Sequence, residues 1–327
     1  MKKNRMLAGL FAAVMLLAGA GGNVSAAEAE REAVTNAEFP GELAKIPEDY
    51  FTPSDSPGTL VELEYDTYEA MSYEEESQVL HKRAIVYLPY GYSDEVQYNV
   101  FYLMHGGWSD ETTYLGTPEA PAEFKNVLDH GIADGKIQPM IVVSPTYNNE
   151  SDRDSWDYSL AIQLTERYHN ELVQDLIPAV EGRYSTFAED TSLEGLRASR
   201  DHRVFCGFSM GSVATWRTFQ YCLDEFRYFM PSSGSLTTDG DFMASIVRDS
   251  GHSWNDFFIF AASGTDDFAY SSFKAQIEAM SNVEDGTFRM ADNEKEGNLY
   301  FLEEKGGTHS GEYAMEYFYN GLCWIWQ

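Results

Sequence analysis

Eight short apolar runs recur along the chain from residue 59 onward, and each is long enough for one buried strand. They lie at 59–65, 83–88, 100–104, 140–143, 203–206, 226–230, 257–262 and 299–302. From the third run onward, helical periodicity separates them at 121–133, 158–182, 210–221, 270–281 and 311–325. Strands that alternate with helices indicate parallel crossovers, while short turns between the first runs indicate an antiparallel edge. We predict one α/β domain at 59–327, a mostly parallel central sheet with helices on both faces, and a surface excursion at 186–201.

The first 26 residues have the pattern of a secretory signal peptide. Basic residues within 2–5 precede an apolar run at 6–20, and small residues at 24–26 offer a cleavage site. A membrane anchor is the alternative, but about 15 apolar residues fall short of the roughly 20 that span a bilayer. Residues 27–58 are rich in Glu and Ala and then in Pro, which predicts an extended N-terminal arm. We therefore expect a secreted, extracellular protein.

The composition limits the classes of partner. The 327 residues include 53 Asp and Glu against 22 Lys and Arg, a formal net charge of -31. Such a field repels phosphate backbones and anionic lipids, so we expect no nucleic-acid and no membrane partner. Three cysteines are too few for a disulfide framework or a zinc site, although a bridge between Cys222 and Cys323 stays open. No metal motif or glycine-rich nucleotide loop occurs, so we expect no metal and no cofactor.

The pentapeptide Gly207-Phe208-Ser209-Met210-Gly211 matches G-x-S-x-G between an apolar run and a helical segment. In such a nucleophile elbow, a sharp strand-to-helix turn exposes the serine at the carboxyl edge of the sheet. Ser209 is therefore the candidate nucleophile. A chain with 26 glycines can match this pattern by chance, so the prediction depends on the partners that the serine needs.

A serine hydroxyl needs a base and an acid that orients the base, and after an elbow they follow in the order acid, then histidine. His309 lies in the loop between the last run and the last helical segment, where a base would hang over the serine. A solvated loop histidine is the alternative. Asp266 and Asp267 follow the run at 257–262, where a carboxylate can accept the Nδ1 proton of the histidine. We expect Asp267 to be the acid, with Asp266 as the alternative, because Asp266 is the better placed of the two to cap the next turn or helix. Asp256 begins that run and so lies at the wrong end of the sheet.

The oxyanion of the reaction needs backbone donors from two segments. One is the N–H of Met210, directly after the serine. The other comes from the loop His105-Gly106-Gly107-Trp108 after the third run, where we expect Gly107 to donate. We expect His105 to be structural, and His252 is only a reserve candidate for the base.

Five motifs together resemble one known family. They are Tyr87-Leu88-Pro89-Tyr90-Gly91-Tyr92-Ser93, Tyr102-Leu103-Met104-His105-Gly106-Gly107, the elbow, Gly264-Thr265-Asp266-Asp267 and Gly307-Thr308-His309. From about residue 59 to the C-terminus the chain resembles the esterase D-type α/β-hydrolases of carbohydrate esterase family 1, and within them the secreted bacterial feruloyl esterases. The resemblance implies an α/β-hydrolase fold. In that family the acid is the last residue of a Gly-Thr-x-Asp stretch, which favours Asp267.

The resemblance also implies a reaction and a substrate class. It implies a serine esterase that releases ferulic acid from arabinoxylan, with feruloylated or acetylated cell-wall xylan or small aryl esters as partners. An acetyl xylan esterase and a secreted acyltransferase of the same fold are the alternatives. Aromatic faces stack on aryl and sugar rings, so we expect Trp108, Tyr114 and Trp156, in loops around the elbow, to line the substrate site. We expect Trp216, on the helix behind the serine, to serve packing.

Overall fold

The structure is a computed structural model, and it describes residues 39–327. The predicted signal peptide at 1–26 and the first part of the predicted arm lie outside the described residues, so both stay predictions. Within the described part, no helix is both long and apolar enough to cross a membrane.

All eight predicted runs form strands of one sheet, with ends that differ from the prediction by a few residues. The strands are β1 Thr59–Tyr68, β2 Val79–Leu88, β3 Asn99–Met104, β4 Met140–Ser144, β5 Arg203–Phe208, β6 Tyr228–Ser232, β7 Phe258–Gly264 and β8 Leu299–Glu304. They lie in the order β1-β2-β4-β3-β5-β6-β7-β8. β2 pairs antiparallel with both β1 and β4, whereas every other neighbouring pair is parallel. The predicted mostly parallel sheet with an antiparallel edge is therefore confirmed.

The burial of the strands explains their sequences. Every residue of β4, β5, β6 and β7 is buried, as expected for parallel strands with helices on both faces. β1, at the edge, largely alternates between buried and exposed residues. The parallel pairing brings the carboxyl ends of β3, β5, β7 and β8 to one edge of the sheet. The loops after these strands lie along that edge, which is where ligands bind in open α/β sheets.

Among residues 39–327, eight α-helices accompany the sheet. They are α1 Glu123–Ala133, α2 Tyr158–Glu171, α3 Ile177–Glu181, α4 Leu193–Ala198, α5 Met210–Tyr221, α6 Gly240–Ser250, α7 Tyr270–Ser281 and α8 Gly311–Leu322. The long predicted helix at 158–182 consists of α2 and α3 with one π-helical segment, Leu172–Leu176, between them. Pro178 lacks the N–H that a regular α-helix would use at its position, which is consistent with the irregular turn before it.

Two helices, α4 and α6, differ from the prediction. α4 lies inside the segment interpreted as a surface excursion, and the side chain of Ser192 caps its first turn. α6 begins after Asp239, whose carboxylate accepts a hydrogen bond from the N–H of Phe242, and it ends before Gly251, which has a φ of 80°. Both helices have standard caps. The sequence does not predict α4 because that helix is only six residues long. It does not predict α6 because the Gly and Asp residues at its start also favour turns.

The described end of the arm, residues 39–58, packs onto the domain. The ring of Phe39 stacks on that of Trp324 with centroids 3.7 Å apart. The Tyr50 side chain is buried, and its hydroxyl hydrogen-bonds to Asp134 just after α1. Both residues belong to the apolar cluster that includes residues of α1 and α8. This stretch therefore contributes to the core on one face of the sheet, while the boundary at residue 59 stays a prediction.

All three cysteines lie within the described residues, and all three are free thiols. Cys206 and Cys222 are buried, whereas Cys323 is partly exposed. The bridge between Cys222 and Cys323 that the sequence leaves open is therefore absent from the structure.

Candidate active site

Ser209 occupies the turn between the end of β5 and the start of α5. Its φ of 61° and ψ of -118° belong to a region that residues other than glycine rarely adopt. Its backbone N–H donates a 3.0 Å hydrogen bond to the carbonyl of Ser232 at the end of β6. The neighbouring strand thus supports the strained turn, and Ser209 lines a cleft at the carboxyl edge of the sheet.

The two glycines of the elbow are sterically required. A Cβ atom on Gly207 would lie 2.3 Å from the carbonyl oxygen of Gly211, and one on Gly211 would lie 2.4 Å from that of Met104. Both distances are far inside van der Waals contact, and both obstacles are backbone atoms. The G-x-S-x-G pattern in this chain is therefore a consequence of how closely β5, α5 and the end of β3 approach one another.

His309 and Asp267 lie side by side, in the loops after β8 and β7. The Nδ1 atom of His309 is 2.8 Å from both carboxylate oxygens of Asp267. The Asp267 side chain is fully buried and also accepts a 2.7 Å hydrogen bond from the N–H of Ala269. Asp266 instead is exposed, and its backbone N–H donates to the carbonyl of Gly307. The structure thus places Asp267 beside the histidine, while the catalytic roles of both stay predictions.

Two phenylalanine rings contact the imidazole of His309. The centroid of Phe208, the residue before Ser209, is 4.4 Å from the imidazole centroid, and that of Phe268 is 4.1 Å away. The His309 side chain is only 17% exposed. These contacts restrict the ring, and its bond to Asp267 occupies Nδ1, so Nε2 is the nitrogen that remains for a proton from Ser209.

The two predicted oxyanion donors, Met210 and Gly107, both line the cleft beside Ser209. Met210 is the first residue of α5, where a helix leaves its N–H groups without intrahelical acceptors. The loop after β3 passes close to the serine, since a Cβ atom on Gly106 would be 3.5 Å from the Ser209 Cβ. The geometry is compatible with the predicted donors, whose role stays a prediction.

His105 is structural, as expected. It is fully buried, its Nδ1 donates a 2.7 Å hydrogen bond to the Gly106 carbonyl, and its Nε2 lies 2.7 Å from the Thr146 hydroxyl. Burial lowers its pKa to about 4, so the imidazole is neutral near neutral pH. The reserve candidate His252 is engaged elsewhere, with its Nε2 2.9 Å from the Asp224 carboxylate.

The cleft holds about 260 Å³, and three exposed aromatic side chains line it. Trp108, Tyr158 and Phe268 line it, and they are 65%, 62% and 82% exposed. The other residues of its wall are small or polar for the most part: Gly107, Ser155, Ser209, Met210, Val213, Ser233, Gly234, Ser235, Ala269 and Ser272. Exposed aromatic rings in a cleft provide flat apolar faces on which another ring can stack.

Of the three aromatic residues expected at the substrate site, only Trp108 lies in the cleft. Tyr114 is buried in the core, where its ring meets that of Phe318 edge-on at 5.1 Å. Trp156 is 54% exposed but does not line the cleft, and the Arg153 guanidinium lies 5.2 Å from its ring. The structure thus brings Trp108 to the cleft but neither Tyr114 nor Trp156, because position in a loop near the elbow does not determine which way a ring faces. Trp216 is fully buried and serves packing, as expected.

The described residues contain no group of three or more His, Cys, Asp or Glu side chains arranged to hold a metal ion. Near the serine, His309 and Asp267 are hydrogen-bonded to each other. The arrangement provides a strained, partly exposed serine, an oriented histidine and a wall of aromatic rings.

Comparison with known proteins identifies the family of the chain. The Esterase family, described as "Putative esterase", matches residues 81–265. The chain belongs to this family. Endo-1,4-beta-xylanase Y of Acetivibrio thermocellus is 37% identical over 282 residues, which are 84% of this chain and 24% of that protein. An endo-1,4-beta-xylanase/feruloyl esterase of Xylanibacter ruminicola is 28% identical over 193 residues, 58% of this chain and 24% of that protein. The esterase-family chain thus spans about a quarter of the length of the curated relatives it matches.

Solved structures extend the similarity. A mutant of the feruloyl esterase module from Clostridium thermocellum, complexed with sinapinate, is 34% identical with a TM-score of 0.75, covering 89% of this chain and 95% of that one. A ferulic acid esterase of carbohydrate esterase family 1 from Anaeromyces mucronatus is 19% identical with a TM-score of 0.60, covering 89% of this chain and 98% of that one. The second likeness bears on the fold alone. Together these findings confirm the predicted family resemblance and the α/β-hydrolase fold.

Three residues of this esterase-family site escape sequence reasoning. Phe268 follows Asp267 directly, so its adjacency to the expected acid was a usable signal. Tyr158 opens α2 and gives no local sign that its ring reaches the cleft. Gly234 follows β6, and its carbonyl accepts hydrogen bonds from the Ser212 hydroxyl and the Trp216 indole on α5. The sequence alone does not show that this glycine lies close to α5, because that requires knowing that β6 is the neighbour of β5 in the sheet.

Proposed function

We propose that the chain is a serine carboxylic-ester hydrolase that releases hydroxycinnamic acids, ferulic acid foremost, from esterified xylan. The observation that carries the proposal is the pairing of His309 with Asp267 beside Phe268, whose ring contacts His309 and lines the same cleft as the strained Ser209. Membership of the Esterase family and the likeness to a feruloyl esterase module that binds sinapinate support it.

The proposed reaction assigns one role to each of these groups. Ser209 Oγ attacks the ester carbonyl while His309 Nε2 takes its proton, and Asp267 holds the imidazole with Nδ1 protonated and stabilises the imidazolium. The N–H groups of Met210 and Gly107 stabilise the oxyanion. His309 then protonates the leaving sugar alkoxide, which frees the alcohol and leaves an acyl enzyme. Water, activated by the same histidine, hydrolyses the acyl enzyme and regenerates Ser209.

The cleft supports a hydroxycinnamoyl acyl group over an acetyl group. Trp108, Tyr158 and Phe268 present exposed ring faces beside the nucleophile, and a phenolic ring would bury part of that surface. An acetyl group is too short to contact all three aromatic rings. At about 260 Å³ the cleft is at the small end for a ligand site, which suits one acyl group with the polysaccharide chain outside. A neutral xylan also suits a protein with a net charge of -31.

Active-site labelling tests the chemistry. We expect a fluorophosphonate probe to label the parent protein and not Ser209→Ala. Ser272→Ala is the matched control, because Ser272 also lines the cleft but lies on α7, and it should label like the parent. An unlabelled parent would overturn the esterase assignment. Release of ferulate from methyl ferulate and feruloylated arabinoxylan, measured beside acetate release from acetylated xylan, tests the substrate. Preference for the acetylated polymer would replace the feruloyl assignment with an acetyl xylan esterase.

We also propose that the protein acts outside the cell, after cleavage behind Ala26. The support is the basic, apolar and small-residue order of positions 1–26. Expression of the full chain in a bacterial host and intact-mass analysis of the medium test it. A mature protein that begins at Ala27 is the expected result, and protein retained in cells with its first residues intact would contradict it.

A further inference from the structure

The carbonyl oxygen of Gly106 accepts two hydrogen bonds from buried side chains. Its donors are the Tyr147 hydroxyl at 2.9 Å and the Nδ1 of His105 at 2.7 Å. The two rings also stack, with centroids 4.5 Å apart. Neither side chain lines the cleft, and their exposed fractions are 2% for Tyr147 and zero for His105. One peptide oxygen of the loop after β3 is therefore fixed from behind by two rigid aromatic side chains.

The orientation of that oxygen determines the orientation of the Gly107 N–H. The carbonyl of Gly106 and the N–H of Gly107 belong to the same planar peptide unit, which is trans. In a trans peptide these two groups point in opposite directions. When Tyr147 and His105 hold the oxygen towards the interior, the N–H is directed away from them, and Gly107 lines the cleft beside Ser209. No hydrogen bond among the described residues uses this N–H.

We propose that Tyr147 and His105 are positioning residues for the oxyanion donor, which act by holding the Gly106–Gly107 peptide plane. The inference rests on the proposed esterase function, since it gives Gly107 N–H a developing oxyanion to stabilise. Gly106 and Gly107 have no side chains that could restrict the peptide plane between them, so the plane could rotate in an unsupported loop. Preorganised donors stabilise a transition state because they do not reorient during the reaction. The two bonds behind the loop supply that preorganisation.

The protonation states suit this role. Burial raises the pKa of Tyr147, so its hydroxyl keeps the proton that it donates. His105 is neutral, and because Nδ1 faces a carbonyl, its single proton lies on Nδ1. The hydroxyl of Thr146 then donates to Nε2 and accepts a 3.0 Å hydrogen bond from the N–H of Asn148. Thr146 thereby fixes the tautomer of His105 that can donate to Gly106.

Tyr147→Phe tests the inference, because it removes one hydroxyl and keeps the ring. Complete loss of an oxyanion donor costs about 10²–10³ in kcat, and a loosened donor should cost part of that. We expect kcat on methyl ferulate to fall about 10-fold with KM within about 2-fold of the parent. The rate of fluorophosphonate labelling should fall in parallel, since its tetrahedral adduct also places an oxygen in the oxyanion hole. Tyr87→Phe is the matched control.

Tyr87 is likewise a buried tyrosine whose hydroxyl donates at 2.9 Å, but to Asp129, away from the cleft. Its variant should keep kcat within about 2-fold. A folded Tyr147→Phe with unchanged kcat, or with a higher KM at unchanged kcat, would overturn the inference. So would an equal loss in both variants, because that would indicate general destabilisation. An inactive parent would instead contradict the proposed function.

A second pair of variants makes the inference independent of how Tyr147→Phe folds. In His105→Asn the side-chain amide occupies the place of Nδ1 and can still donate to Gly106, whereas in His105→Gln it occupies the place of Nε2 and cannot. We expect His105→Asn to retain at least about 5-fold more kcat than His105→Gln at similar thermal stability. The reverse order of kcat in folded variants would contradict the proposed role of Nδ1.

Discussion

Phe268 permits a sharp test of how the cleft recognises an acyl group. At 82% it is the most exposed large apolar side chain of the described residues, and its ring lies 4.1 Å from the imidazole of His309. Only about a fifth of the side chain is buried, about 40 Å² of the roughly 200 Å² that a fully buried phenylalanine covers. Phe268→Ala should therefore cost about 1 kcal/mol of folding free energy or less.

The same exposed ring should matter more to a substrate with a ring of its own. Stacking and apolar burial between two rings are worth about 1 to 2 kcal/mol together, which is about a 5- to 30-fold fall in kcat/KM for methyl ferulate. Methyl acetate has no ring and loses only the contact that steadies His309, so its kcat/KM should fall less than about 3-fold. Both rates can be measured by acid release on a pH-stat.

Trp156→Ala is the control for this prediction, because Trp156 is also an exposed aromatic residue near the site but does not line the cleft. It should leave both esters within about 2-fold of the parent. Equal losses for methyl ferulate and methyl acetate in Phe268→Ala would show that the ring acts only on the histidine. A loss in Trp156→Ala as large as that in Phe268→Ala would refute the assignment of the cleft walls.

Three further predictions concern the acid, a buried histidine and the thiols. Asp267→Asn should lower kcat about 10³- to 10⁴-fold, because an amide cannot hold His309 with Nδ1 protonated, whereas Asp266→Asn should stay within about 3-fold in the same assay. Burial lowers the pKa of His105 to about 4 in the folded protein, whereas its pKa in the unfolded chain is about 6.5. The stability that comes from its neutral form is therefore present above pH 6.5 and is lost as the pH falls towards 4. Between about pH 7.5 and pH 4, the free energy of unfolding measured in urea should fall by about 3 kcal/mol more in the parent than in His105→Asn. Equal falls would contradict the depressed pKa. Ellman's reagent should find three thiols in the unfolded protein and no more than one, that of Cys323, in the native one; fewer than three after unfolding would reveal a disulfide.

The parts of the fold that the sequence predicts are those with a strong local signal. Each buried strand is a mostly apolar run, because helices cover both faces of the sheet, and a charged exception such as Arg203 of β5 is paired inside the protein with Glu181. The order of serine, aspartate and histidine can likewise be read from the sequence. Each of the three follows one of the strands β5, β7 and β8, and these strands all end at one edge of the sheet. The carboxylate of Asp267 and the imidazole of His309 lie 42 residues apart in the chain and are still in contact.

The walls of the cleft could not be predicted in this way. Tyr114 and Phe268 each lie a few residues beyond a predicted strand or loop motif, yet one is buried against Phe318 and the other is almost fully exposed. What separates them is whether a neighbouring helix covers the ring, and that depends on packing between segments far apart in sequence. Composition and spacing carry no information about that coverage.

Tyr147 shows the same limit at the level of a single bond. It lies seven residues after the start of β4, and nothing in the sequence around it indicates that its hydroxyl meets the carbonyl of Gly106, 41 residues away. Parallel pairing of β3 with β4 is what brings their following loops together. A motif such as His-Gly-Gly identifies the loop whose backbone can donate to an oxyanion, but the direction of each N–H is determined by what holds the opposite side of the peptide. In this chain Tyr147 gives part of that support from the loop after the next strand in the sheet, and His105 gives the rest from within the oxyanion loop. A search for active-site positioning residues should therefore examine the residues behind the oxyanion loop as well as those that line the cleft.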